Sequence, residues 1–407
     1  MASHKNLNNT LDRVQATAGE RAVAFDGVDK NHLFVNNVRS LSMAAIIAVH
    51  TINSYPSVVA QPTITPLLRA LHQPLKFGTI GFFLVSGFLF GERIQKHSPF
   101  GYFKRRLQNV FAPWLVWLSL YFALRTGASL VHGRLSGVDL WQGFTNCLIY
   151  SAFWFVPNLL IALALLLVFG RFLNNWRTGL VFLLASLFYG ANIYGHWIPV
   201  LHTQAVFGFV FYLWLGAWSA WHFPSIEKWL ARIPMVGMLG LTLFALLLAL
   251  AESRLLVTLG SIDPTNTLRI SNQIFSIVAV LTIVRLKRGL WPRFVDAREH
   301  TFGLYLTHTA ALTLICWALR HILTRFDALS WATSNTGTLI LVPVIFALTY
   351  SGCLLVVVTL RANRMLRWTV GLATQRKAAN LTKTLVETKP FESPGALKHG
   401  VHEVSAS

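Results

Sequence analysis

The sequence predicts an all-α fold, a polytopic membrane bundle of about ten transmembrane helices. Three observations carry that prediction. Apolar residues make up 54% of the 407-residue chain and charged residues only 12%, whereas an average soluble domain is roughly a quarter charged. Apolar windows of about 17–25 residues, long enough to cross ~30 Å of hydrocarbon, recur along nearly the whole chain. Basic residues are dense in alternate inter-span segments, the pattern that sets orientation in a bilayer.

The windows lie near residues 38–55, 76–92, 110–126, 152–169, 178–194, 205–222, 234–251, 270–286, 302–320 and 338–361. Segment 139–150 reads as a re-entrant or interfacial piece. With the N-terminus in the cytoplasm, 27 of the 35 Lys and Arg residues fall on the cytoplasmic side and 8 on the other. Both termini therefore read as cytoplasmic, and the net charge of +20 as topological. Charge spent in this way argues against nucleic acid as a partner. Residues 1–37, without the apolar core of a signal peptide, and 371–407, rich in Lys, Ser, Thr and Pro, read as polar tails around a membrane domain at 38–370. Cys147, Cys316 and Cys353 are too scattered for a disulfide framework or a metal site and read as small apolar fillers.

The first span contains "VRSLSMAAIIAVH", Val38 to His50. Eleven residues of helix carry His50 about 16 Å from Arg39, close to mid-bilayer, and about 20° past three full turns, so the two side chains share a face. Ionisable groups at that depth are costly and usually functional. A cation at the cytoplasmic surface and an imidazole deep on the same face suit an anionic cytosolic cofactor whose reactive end dips into the membrane. Neutral at pH 7, the imidazole can take a proton from a hydroxyl as a general base. The alternative is a packing hydrogen bond for His50 and a topological anchor for Arg39.

The second span holds "GFFLVSGFLFGERI". Gly87 and Gly91 form a GxxxG, which marks either a close helix–helix contact or, at Gly87, a close backbone approach to a ligand, with the Ser86 hydroxyl near a reacting carbonyl. Before the third span, in "YFKRRLQNVFAPW", Lys104, Arg105 and Arg106 stand together, as a topological anchor or as a grip on phosphates.

In this order the pieces resemble the membrane O-acyltransferases of acyltransferase family three. Arg39 and His50 match the family's Arg-x10-His pattern, "FFLVSG" its Phe-Phe-x-x-Ser-Gly, and the basic run before Pro113 its Arg-x-x-Arg. "AFWFVPNLL" is similar to its Trp-Phe-rich span, and "TFGLYLTH" to its late segment, which adds Tyr305 and His308 as substrate-side or auxiliary residues along with Gly87. The likeness covers about residues 34–370. One departure is that the second arginine of Arg-x-x-Arg is Asn109 counted from Arg106, or Gln108 counted from Arg105. The extra hydrolase-like periplasmic domain of some members is not expected here.

The resemblance implies acyl transfer, usually of acetyl from acetyl-CoA, to a hydroxyl of a polysaccharide, glycolipid or other glycan precursor at a bacterial inner (plasma) membrane. No permanently bound cofactor is implied, and acyl-CoA is the donor substrate. Arg39, Lys104, Arg105 and Arg106 would hold the CoA phosphates, His50 would act as base, and Ser86 or a nearby amide would steady the oxyanion. Acetyl, succinyl or longer groups, and direct transfer or an acyl-histidine, all fit these residues; a homodimer or polysaccharide-synthesis proteins are compatible partners. A transporter or flippase of a glycan or lipid-linked substrate is the competing reading, weakened by the lack of an internal repeat or paired Gly/Pro-broken spans. A polymerase or lipid-linked glycosyltransferase would need a large acidic or metal-binding loop. The loops 56–75, 127–150, 195–204, 252–269 and 321–337 offer little chemistry beyond Trp141, Trp197 and Trp331, which suit either sugar stacking or a membrane interface.

Overall fold

The computed structural model describes residues 33–61, 65–94, 98–131, 137–286, 288–290 and 296–371. The expected tails at 1–37 and 371–407 lie outside these residues except at 33–37 and 371. Helix α1, Leu33–Val58, begins inside the stretch read as tail. It does so because its first turn finds partners. Phe34 stacks on Phe223 at 4.7 Å, and Asn37 donates to the Arg288 carbonyl at 2.9 Å while accepting from the Leu290 amide at 3.0 Å.

Helix α2, Pro66–His72, is capped by the Thr65 hydroxyl and passes through a 3₁₀ turn, Gln73–Leu75, into α3, Phe77–Ile94. The chain continues through α4, Pro99–Val131, and α5, Gly137–Ile149. A 3₁₀ turn at Ala152–Trp154 leads to α6, Phe155–Val168. Then come α7, Trp176–Gly195, α8, Val210–Trp221, and the amphipathic α9, Phe223–Arg232. The last elements are α10, Met235–Thr258, α11, Ile270–Arg285, α12, Ala297–Arg325, α13, Leu329–Thr333, and α14, Asn335–Ala362. No strand occurs among the described residues.

Among the described residues seven helices are long and apolar enough to cross a membrane, and an eighth span arises if the pair at Asp139–Ile149 and Ala152–Val168, bent by 70°, crosses as one. The sequence expected about ten. The difference lies at 205–222 and 270–286, whose helices have 12 and 16 residues and rise only about 18 and 24 Å. Helix α8 is apolar because it is packed inside protein, with Val210 to Trp214 all buried. Hydropathy does not separate that environment from lipid. Helix α10 is the opposite case. It presents Val236, Leu239, Leu243, Phe244 and Leu247 outward and packs the small Ala245 and Ala249 against Phe275 and Ala279 of α11. That is the pattern of a lipid-facing span.

Breaks in membrane helices free backbone groups that lipid cannot satisfy, and here side chains satisfy them. At the bend before α6, Trp114 Nε1–H donates to the Phe153 carbonyl at 3.0 Å and Tyr305 O–H to that of Ala152 at 2.8 Å. At the break before α3 the turn is instead held by side chains bonded to one another: Gln73 donates to Asn272 at 3.0 Å and accepts from Arg269, which also donates to the Ala249 carbonyl of α10 at 2.7 Å. Helices α3 and α8 meet through glycine. A Cβ added at Gly87 would stand 2.0 Å from the Leu213 carbonyl oxygen, and one at Gly216 would stand 2.0 Å from that of Leu84. The GxxxG is therefore a backbone-to-backbone contact, and the expectation that Gly87 opens room for a ligand is corrected: the room is filled by α8.

Candidate active site

His50 lies on a wall of a cavity of about 510 Å³ within the bundle. On α1 the lining runs from Ile46 through His50, Asn53 and Ser54 to Ser57, always away from Arg39. The other walls come from Lys76 and Thr79, from Tyr121 and Arg125 of α4, from Ser151 and Trp154 at the bend, from His202 and Thr203, and from Thr309, Thr313 and Arg320 of α12. Among the described residues His50 has no protein hydrogen bond, so its ring nitrogens are available to whatever enters.

The ring of His308 packs 5.2 Å from that of His50, centroid to centroid. Its Nδ1 lies 2.6 Å from the Tyr305 carbonyl. A carbonyl only accepts, so Nδ1 carries the proton and Nε2 the lone pair. That Nε2 is buried and has no partner among the described residues. One residue on, the Thr309 hydroxyl lines the cavity and is also buried without a partner. Tyr305 itself is spent on Ala152 and does not line the cavity.

Two loops read as chemically poor supply the far wall. His202 Nδ1–H donates to Asp263 at 3.1 Å, across 61 residues of sequence. Burial lowers the His202 imidazole below its ordinary range and outweighs the pull of Asp263. Burial alone would raise the Asp263 carboxyl, but the His202 hydrogen bond and the charges of Lys76 and Arg269 outweigh it and hold it at about 2. Arg269 is fully buried, and its donors fix Gln73 and with it the turn that delivers Lys76. None of this was visible in the sequence, where Lys76, His202 and the Asp263–Arg269 loop sit on three separate segments. The only available signal was charged and titratable residues at the edges of apolar runs.

The cationic rim lies at the other end of α1. Arg39 is in electrostatic contact with Arg93, Arg106 and Arg298, and with Asp296. Arg106 is half-buried and donates to the Tyr102 hydroxyl at 3.1 Å, whereas Lys104 and Arg105 are exposed. The structure thus groups Arg106 with Arg39, adds Arg93 and Arg298, and does not draw in Lys104 and Arg105.

Ser86 is not near His50. Gly78 packs on Ser42, Ala45 and Ile46, and Gly81 on Ser42 and Val38, so α3 runs antiparallel to α1. Ser86 continues from there toward the Arg39 end, about 20 Å along the bundle from His50 at 1.5 Å per residue. It does not line the cavity. Between rim and cavity lies a packed seam, with Met43 fully buried, Phe82 6.1 Å from Phe155, and Phe155 5.6 Å from Tyr305. Trp141, Trp197 and Trp331 are exposed and line no part of the cavity; Trp154 does.

An all-α bundle of long apolar helices, with the His50 imidazole on the wall of an internal cavity and His308 packed behind it, defines an integral membrane protein with a buried polar site. A family model described as an acyltransferase domain matches residues 32–358. The chain belongs to that family, acyltransferase family three, and is a membrane acyltransferase. Comparison with curated proteins and with solved structures gave no match.

Proposed function

We propose that this chain transfers an acyl group, acetyl first among the candidates, from acyl-CoA to a hydroxyl of a polysaccharide, glycolipid or other glycan precursor, with His50 as the general base. The observation that carries this reading is the His50–His308 pair beside a cavity lined mostly by hydroxyl, amide and aromatic side chains, the lining expected of a carbohydrate site.

In this reading the bulk of the Lys and Arg residues face the cytoplasm, the polar segments at both ends of the chain are cytoplasmic tails, and the membrane is the inner membrane. The CoA phosphates rest on the rim of Arg39, Arg93, Arg106 and Arg298. The pantetheine arm carries the thioester along α1 toward His50, and the seam at Met43, Phe82 and Tyr305 must part for it. The acceptor enters the cavity from the opposite side.

His50 removes the proton of the acceptor hydroxyl as its oxygen attacks the thioester carbon. A C–O bond forms, the C–S bond breaks, and the proton passes from His50 to the departing thiolate, leaving free CoA thiol and the ester. With substrate bound, the Nε2 lone pair of His308, which has no partner among the described residues, takes a hydrogen bond from the second nitrogen of His50 and orients the ring. The unpartnered Thr309 hydroxyl is the donor best placed for the oxyanion, in place of the remote Ser86.

The test is transfer from radiolabelled acetyl-CoA to a glycan acceptor by purified full-length protein in lipid. Label is expected on the acceptor as a base-labile ester. A carrier would leave no covalent label, and failure with every acyl-CoA offered would sink the reading.

A further inference from the structure

Resting on the acyl-transfer reading, we propose that the His50 cavity selects an acidic acceptor, a glycan whose sugar bears a carboxylate or phosphate near the acylated hydroxyl, and that the Lys76 ammonium holds that anion. Three cations line the cavity, Lys76, Arg125 and Arg320, and no Asp or Glu is among its lining residues. The chemistry of the wall is therefore one-sided.

Lys76 is the decisive group. Its residue is only 6% exposed, yet its ammonium has no hydrogen-bond partner among the described residues. The acid whose charge acts on it is Asp263, which is bonded to His202 and is not among the lining residues. A buried ammonium without a bonded anion is expensive, and replacing it by an apolar residue would relieve the fold. Instead the fold builds a support for it. The 3₁₀ turn at Gln73–Leu75 is tied down by Asn272 and the buried Arg269, so Lys76 is delivered to the cavity wall with little freedom to withdraw.

An acidic group on the acceptor supplies the missing partner through charge-assisted hydrogen bonds. Arg125 and Arg320, both exposed, add an attractive field on the way in. The sugar ring then has Trp154 for its apolar face and Asn53 and Thr79 for its hydroxyls. A neutral glycan makes the latter contacts but leaves Lys76 unpaired, which is a penalty and so a source of selectivity.

The test uses three probes of one aglycone: a phenyl glucuronide, a phenyl glucoside 6-phosphate and the neutral phenyl glucoside. Binding to the purified full-length protein is read first, as ligand-induced thermal stabilisation, which needs no turnover. At least one acidic probe is expected to bind tenfold or more tightly than the neutral one, and the two acidic arms tell carboxylate from phosphate. Lys76→Met is expected to abolish the preference and Lys76→Arg to retain it, the second variant guarding against a folding defect in the first. Equal binding of all three probes overturns the inference, whatever the turnover.

Transfer of labelled acetyl is read second. A preference in KM for the acidic acceptor, lost in Lys76→Met, supports it. A uniform fall in kcat for all acceptors would make Lys76 a transition-state group, and a rise in donor KM would give the cavity to CoA; either overturns it. Selective binding with no transfer to any probe leaves the anion site standing and sinks the acyl-transfer reading instead.

Discussion

The imidazoles of His50 and His308 stand 5.2 Å apart, ring centre to ring centre, on helices whose sequence positions differ by more than 250 residues. Because His308 spends its Nδ1 proton on its own helix, at the Tyr305 carbonyl, the pair is polar in one sense only. His308 can receive a hydrogen bond at Nε2 and His50 can give one. That leaves the remaining His50 nitrogen to accept a proton from outside.

His50→Ala should lower kcat by ~10²–10⁴-fold, the usual worth of a general base, with an unchanged thermal midpoint because the side chain is only half-buried. Labelled-acetyl transfer by purified variant and wild type measures it. Wild-type turnover in the variant would end the role assigned to His50.

His308→Phe keeps the packing and removes the Nε2 lone pair. A positioning role predicts a fall in kcat of about tenfold with little change in either KM, and a pH–rate profile displaced from that of the wild type. An unaltered profile with unaltered kcat would reduce His308 to a packed side chain. Thr309→Val, which removes the proposed oxyanion donor, should cost about 10²–10³-fold in kcat.

Arg39→Gln should raise the donor KM by ten- to a hundredfold, matching loss of a hydrogen bond to a charged group, about 1.5–3 kcal/mol, and leave the acceptor KM untouched. Arg106→Gln should behave alike, because Arg106 shares the rim with Arg39. Lys104→Gln should change donor KM least, since that side chain is exposed.

Gly87→Ala should destabilise the bundle by about 1–3 kcal/mol, the range for overpacking, because the new methyl would overlap the Leu213 carbonyl oxygen. A clear fall in thermal midpoint in detergent is expected. A midpoint equal to wild type would show that α3 and α8 can separate freely.

Stability should fall with acid through two groups. The folded fold holds Asp263 at about 2 against an ordinary 3.8, and a depressed carboxyl stabilises above its unfolded value and loses that contribution as pH falls through the folded one. The His202 imidazole is also lowered, so the unfolded chain takes up the proton first and stability declines below about 6.5. The thermal midpoint of wild type should therefore drop from pH 6.5 downward. Asp263→Asn should be less stable at neutral pH and lose the dependence between about pH 4 and 2. A parallel curve for the variant would count against the His202–Asp263 bond as a stabilising contact.

Much of the fold was legible because a bilayer imposes simple rules on length and charge. Helix α10 follows them, apolar on its outward faces, and α1 follows them with Arg39 toward one end and His50 about two thirds of the way along. Helix α8 is too short to count as a span by itself, and its apolar sequence did not reveal this because burial in protein selects the same residues as burial in lipid. Gly87 was ambiguous for a related reason: a missing side chain makes room without saying for what. The second wall of the site was illegible since His202 and Asp263 are ordinary loop residues until the loops meet.

Within one helix, 3.6 residues per turn converts spacing directly into geometry, and so the sequence by itself set Arg39 and His50 on a common face at about 16 Å, in a chain that belongs in a membrane. Between helices no such conversion exists. Which groups face His50 depends on how closely backbones approach at Gly78, Gly81 and Gly87 and on which buried polar groups find one another, and only the tertiary structure decided that Thr309, Lys76 and His202 line the cavity, with His308 against His50, while Ser86 stands at the far end.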